Sequence, residues 1–161
     1  MAAAELMLAL YEPDIADNAG AMMRTCACLR VGAAIIEPAG FALADRRFRR
    51  AGMDYLEALQ IEQHASFARF ESWRAAASRR LVLLTTKGET EFWDFAFRPG
   101  DILMVGRESA GVPEDVAARA DARVGIALAP PLRSLNVGVA AALAIGEALR
   151  QLRYVNARGK A

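Results

Sequence analysis

Polar side chains able to orient a substrate gather at three places, each beside glycines or other small residues. Asn18 and Arg24 stand six residues apart near the N-terminus. Glu108 lies inside Gly106-Arg107-Glu108-Ser109-Ala110-Gly111, and Ser134-Leu135-Asn136 precedes a long Ala-rich stretch. Glycine lets backbone N–H and C=O groups approach a planar ligand closely, and amide and hydroxyl side chains add neutral donors and acceptors. Such a set suits a base and ribose better than a triphosphate. On the residues alone two readings stand, a nucleotide- or cofactor-binding domain and a binder of some other small molecule.

Several familiar chemistries are excluded. The Gly106–Gly111 loop has the two-glycine spacing of a phosphate loop but lacks the Lys-Ser/Thr that would follow it, and Tyr11-Glu12-Pro13 offers no G-x-G-x-x-G turn. There is no G-x-S-x-G elbow for a nucleophilic serine. Cys26 and Cys28 are two apart in an expected helix, where their side chains face different ways, so they suit neither a disulfide nor a shared metal. His64 is the single histidine and lies in the polar stretch from Glu62 to Ser66, where a solvent-facing loop is expected. No metal site and no His-based triad is expected.

The elements that must position these residues alternate along the chain. Apolar runs at Leu6 to Leu10, Ala33 to Glu37, Leu81 to Leu84, Ile102 to Val105 and Val124 to Leu128 read as buried strands, with a short further strand at Leu56 to Gln60. Asp17 or Asn18 can cap a helix to about Arg30 that Gly32 ends; in it Arg24 is the one interior charge and needs a partner. Ser66 caps a helix to Ala77 whose Phe67, Phe70 and Trp73 share a core face, and a last helix spans about Asn136 to Arg153, with fraying expected after Tyr154. This alternation predicts an α/β fold, a parallel sheet with helices on both faces. Ligand loops then follow three strands, at Leu84 to Gly88, Val105 to Gly111 and Ile126 to Asn136. Gly106 to Gly111 and Pro130 to Asn136 would be two walls of one site if their strands are neighbours. In the last helix Gly138, Ala140, Ala141, Ala142, Ala144 and Gly146 imply close approach by other backbone, either within the fold or across the subunit boundary of a homodimer.

With 161 residues, 55% hydrophobic and 24% charged, the chain fits a single globular domain, residues 1–161, with no room for a separate binding module. No apolar run approaches the roughly 18 residues of a membrane span. The opening MAAAELMLALYEP lacks a basic region before its apolar run and reads as a first strand, so a cytoplasmic protein is expected. A net charge of +1 does not announce a nucleic-acid binder, but Arg46, Arg47, Arg49 and Arg50 flank Phe48. That cluster is either a phosphate-holding patch or a solvated helix turn with Phe48 in the core.

The sequence resembles the SPOUT superfamily of knotted RNA methyltransferases, and within it the tRNA 2′-O-methyltransferases acting on the wobble nucleotide. The similar stretches are LYEPDIADNAGAMMRTCA from Leu10, IIEPAGF from Ile35, RRFRRAGMDY from Arg46, LTTKG from Leu84, LMVGRESAGVP from Leu103 and SLNVGVAAALA from Ser134. Asn18 with Arg24 resembles the first motif, Gly106 with Glu108 and Gly111 the second, and Ser134-Leu135-Asn136 the third. Arg107 stands where a proline is common, Ser109-Ala110 where a Thr-Arg pair is, and Gly138 where a serine is frequent. The resemblance implies a C-terminal trefoil knot and S-adenosylmethionine as donor, with S-adenosylhomocysteine as product. By position it assigns the cofactor to Leu84, Thr85, Gly106, Ile126, Ser134 and Leu135. It makes Arg24, Asn18, Glu108 and Asn136 the catalytic group, and it implies a homodimer. The arginines at 46, 47, 49 and 50 then turn toward tRNA. The implied reaction is methylation of the ribose 2′-hydroxyl of nucleotide 34, cytidine or modified uridine. The same chemistry at another tRNA or ribosomal RNA position is the alternative, as is a non-catalytic RNA-binding protein of this fold.

Overall fold

The structure, a computed structural model, describes residues 5–158. Its seven strands are β1 (Leu6–Tyr11), β2 (Gly32–Ile36), β3 (Ile61–His64), β4 (Leu81–Leu84), β5 (Thr90–Glu91), β6 (Asp101–Val105) and β7 (Ala122–Gly125). They form one sheet in the order β3-β2-β1-β6-β4-β7-β5, with every pairing parallel. Five helices accompany it: α1 (Ala16–Leu29), α2 (Arg46–Gly52), α3 (Phe67–Ala76), α4 (Glu114–Ala117) and α5 (Val137–Arg158).

All six residues of β1 are buried, because a parallel strand with neighbours on both edges and helices on both faces has no polar side. Leu6, Leu8 and Leu10 join Met22, Met23, Cys26, Phe48, Ala144 and Ile145 on one face, under α1, α2 and α5. Met7, Ala9 and Tyr11 join Phe70 and Val116 on the other, under α3 and α4. The expected α/β layering is what forms. Cys26 is buried, and burial pushes its thiol up to about 12, so it packs as a small apolar group. No helix among the described residues is long and apolar enough to cross a membrane.

Four local expectations are corrected. Leu56 to Gln60 is not a strand: Met53–Ala58 is a 3-10 helix, and the edge strand begins at Ile61. Leu56 and Leu59 pack on the core three residues apart, a helical spacing rather than an alternating one. The strand expected at Val124 to Leu128 leaves the ladder after Gly125, where the Ala127 N–H donates instead to the Glu91 carboxylate at 2.9 Å. Neither Asp17 nor Asn18 caps α1; Ile15 holds that position without a side-chain bond, and at the other end Arg30 takes the left-handed conformation expected of Gly32, which opens β2. His64 is 8% exposed, at the end of β3, and sits against Phe70 and Trp73 with ring centroids 5.3 and 5.0 Å away. It is a core residue, not a loop residue, and burial lowers its pKa.

The Ser66 cap on α3 forms as the sequence predicts, accepting from the Arg69 N–H. The last helix continues past Tyr154 to Arg158, beyond the point where fraying is expected, and residues 159–161 lie outside the described residues.

Candidate active site at the carboxyl edge of the sheet

Parallel pairing brings the C-terminal ends of β1, β4, β6 and β7 to one edge, the usual ligand edge of an open α/β sheet. The strands carrying the two expected walls, β6 and β7, are not neighbours, since β4 lies between them. The walls meet nonetheless, because β4 contributes a third loop at the same level. Together the three loops and the start of α5 enclose a cavity of about 420 Å³. Leu84, Thr85, Gly106, Ile126, Ser134 and Leu135 all line it, as do Asn18, Glu108 and Asn136. Glycine keeps these loops thin: a Cβ on Gly106 would fall 2.5 Å from the Gly111 carbonyl carbon, and one on Gly88 would fall 2.2 Å from the Gly125 nitrogen.

Asn136 does two things at once. Its Oδ1 accepts from the N–H groups of Gly138 and Val139, at 2.9 and 3.2 Å, capping α5. Its Nδ2 donates to Asn18 Oδ1 at 3.1 Å, tying the third motif to the first.

Glu108 is held by a residue that sequence reasoning passed over. Asp14 Oδ1 accepts from the Glu108 N–H at 3.1 Å, Asp14 Oδ2 accepts from the Ser109 hydroxyl, and the Asp14 N–H donates to Glu108 Oε2 at 3.3 Å. Glu108 Oε1 is buried beside these groups without a hydrogen-bond partner. Burial, then the nearby Asp14, raises the Glu108 pKa, while the bond with Glu108 lowers that of Asp14. Asp14 therefore carries the charge more readily and Glu108 the proton. Alongside, Arg107 pairs with Glu12 and lies 6.0 Å from the Tyr11 ring centroid. The sequence shows only that Glu12-Pro13-Asp14 follows β1; the pairing of β1 with β6, the strand that leads into Glu108, brings the two together.

Arg24 is not part of this cavity. It is exposed on α1, and its guanidinium lies 5.3 Å from the centroid of the Tyr55 ring. The partner that an interior charge was expected to need is thus a ring. The arginine cluster is a solvated helix turn with Phe48 in the core, 1% exposed and stacked on Phe41 at 5.4 Å, while Arg46, Arg47, Arg49 and Arg50 all face solvent. Asp45 caps this helix through the Arg47 and Phe48 N–H groups.

A doubly covered parallel sheet with a loop-walled cavity at its carboxyl edge defines a nucleotide- or cofactor-binding α/β protein. The chain belongs to the SpoU rRNA methylase family, whose family model matches residues 5–146. It is 64% identical over 146 residues to the tRNA (cytidine(34)-2′-O)-methyltransferase of Beijerinckia indica subsp. indica, covering 91% of each chain. A solved structure described as giving insights into the 2-OH methylation of C/U34 on tRNA is 39% identical with a TM-score of 0.89, covering 93% of this chain and 97% of that one. An AdoMet-bound rRNA methyltransferase from Sinorhizobium meliloti is 25% identical with a TM-score of 0.85, over 92% of this chain and 57% of that one.

Proposed function

We propose that this protein transfers a methyl group from S-adenosylmethionine to the ribose 2′-hydroxyl of nucleotide 34 in tRNA. The observation that carries the reading is the convergence of the three motifs: Asn18, Glu108 and Ser134 to Asn136 line one cavity, bonded across it by the Asn18–Asn136 pair. The cavity fits the cofactor chemically. Apolar Ile126, Leu128, Leu135 and Val137 offer walls for an adenine, loop backbone offers neutral donors and acceptors, and Glu108 presents an unpaired buried oxygen. Leu84, Thr85, Gly106, Ile126, Ser134 and Leu135 would hold it, in the loops that the family resemblance assigns to a C-terminal knot.

When bound, the cofactor supplies an electrophilic methyl carbon on a sulfonium. The residues of this chain orient the acceptor, and its hydroxyl proton would leave to a substrate phosphate held beside it. Asn18 and Asn136 fix each other and the start of α5, while the Asp14 clamp holds the Glu108 loop. A guanidinium is a poor base, so Arg24 serves by binding a substrate phosphate and stabilising the developing alkoxide. Its position outside the cavity of its own chain is what a homodimer would answer, with Arg24 of the partner subunit completing the site. An exposed stripe on α5 supports that assembly, since Val139 and Leu143 are 51% and 41% exposed and Ala142 and Gly146 lie beside them. The exposed arginines of α2 supply the tRNA contact, and the working compartment is the cytoplasm.

The test is methyl transfer from labelled donor to tRNA, followed by nucleoside mass spectrometry, with Arg24→Ala as control. A 2′-O-methyl at position 34 is expected, lost with Arg24→Ala. Methylation at another position, or none with correctly folded protein and cofactor bound, overturns the reading.

A further inference from the structure

We infer that Tyr55 is a positioning residue for Arg24, an uncharged platform that holds the guanidinium while leaving its charge for the substrate. This rests on the role proposed above for Arg24. The segment Ala51-Gly52-Met53-Asp54-Tyr55 lies just beyond the arginine cluster; Gly52 is buried, but Met53 and Tyr55 are exposed, so core packing does not account for them.

Its construction is costly. At Gly20, one turn before Arg24 on α1, an added Cβ would fall 2.4 Å from the Phe48 carbonyl oxygen, so α2 crosses α1 backbone to backbone at that point. Gly52 is buried, and an added Cβ there would fall 2.5 Å from the Leu56 side chain, so Leu56 packs directly against the turn. Met53 then sits at φ 55° and ψ −156°, a conformation almost confined to glycine. Backbone strain of this kind persists only where surrounding structure enforces it and gathers at functional sites. The reversal delivers Tyr55, 39% exposed, to Arg24, with the guanidinium carbon 5.3 Å from the ring centroid and inside cation–π range.

The choice of partner has a chemical consequence. Among the described residues, none of the ion pairs includes Arg24. A carboxylate in that place would offset the positive charge and occupy the donor fork. The face of a ring attracts the cation and restricts its rotamers, but accepts no strong hydrogen bond, so the N–H groups stay available to a phosphate or an alkoxide.

The experiment compares Tyr55→Phe, Tyr55→Leu and Arg24→Ala by steady-state methyl transfer, with cofactor affinity from calorimetry and thermal melting as fold control. Tyr55→Phe keeps the ring and is expected to retain kcat within about twofold. Tyr55→Leu is expected to lower kcat about fivefold, the upper end for a cation–π contact at an exposed site, with cofactor affinity unchanged; Tyr55→Gln replaces it if Leu does not fold. Wild-type kcat in the variants lacking the ring, or equal impairment of Phe and Leu, overturns the inference. If Arg24→Ala itself remains active, the role assigned to Arg24 fails instead, so the two failures are told apart.

Discussion

Asn136 Nδ2 donates to Asn18 Oδ1 across 3.1 Å, joining residues 118 positions apart in the chain, while the other end of the same amide caps α5. Cap and bridge can be separated by substitution. Asn136→Ala removes both and should cost about 1 kcal/mol of stability for the cap alone. Asn18→Ala leaves the Asn136 cap in place and removes the acceptor of the bridge. It should melt close to wild type while methyl transfer falls tenfold or more. Wild-type turnover by the Asn18→Ala variant would show that the bridge is dispensable.

The Asp14–Glu108 clamp predicts a pH signature. Glu108 has a raised pKa, so folding favours its protonated form, and that contribution is full below the ordinary value of 4.5 and lost as pH rises through the folded pKa. Glu108→Gln mimics the protonated acid at every pH. Its melting temperature should match wild type in acid and exceed it increasingly toward neutrality, although activity falls. Asp14 has the opposite sign, contributing above its ordinary 3.8 and losing that contribution as pH falls through its lowered pKa. Asp14→Asn should therefore flatten the acid limb of the melting profile. A parallel offset at all pH values would count against both assignments.

The arginine helix separates core from contact. Phe48→Ala should destabilise the protein by about 3–5 kcal/mol, as large-to-small core changes do. Arg46→Ala with Arg47→Ala should leave melting within a degree or two and cofactor affinity unchanged. tRNA affinity should weaken, and its logarithmic salt slope should shrink by roughly 1–2, as expected for two lost phosphate contacts. Filter binding across a salt series reads this directly, and an unchanged slope would remove α2 from the tRNA surface.

The exposed stripe of α5 is testable by charge. Val139→Asp with Leu143→Arg places two charges on a surface already open to water, so the monomer should fold. Sedimentation should show half the wild-type mass, and methyl transfer should be lost while cofactor binding persists. A fully active monomer would refute the shared site.

How much of this was legible in the sequence depends on the distance over which each feature is determined. The layered α/β plan could be read because burial on both faces of a parallel sheet requires uninterrupted apolar runs such as Leu6 to Leu10, and a run is a local property. The Ser66 cap and the shared face of Phe67, Phe70 and Trp73 were local too. Local signals failed where neighbours across the sheet decided: His64 looks polar among Glu62 and Gln63, yet the end of an edge strand placed it under α3.

The same division runs through the site. The residue types in the three motifs, and the glycines that thin their loops, are written in the sequence, because close approach and neutral hydrogen bonding demand those types. Which groups meet was decided only by the tertiary structure. β4 enters between β6 and β7, Asp14 reaches the Glu108 loop 94 positions away, and Tyr55 comes to Arg24 through a strained reversal. Each of those contacts depends on strand order or on the crossing of two helices, and neither leaves a periodic trace along a single chain.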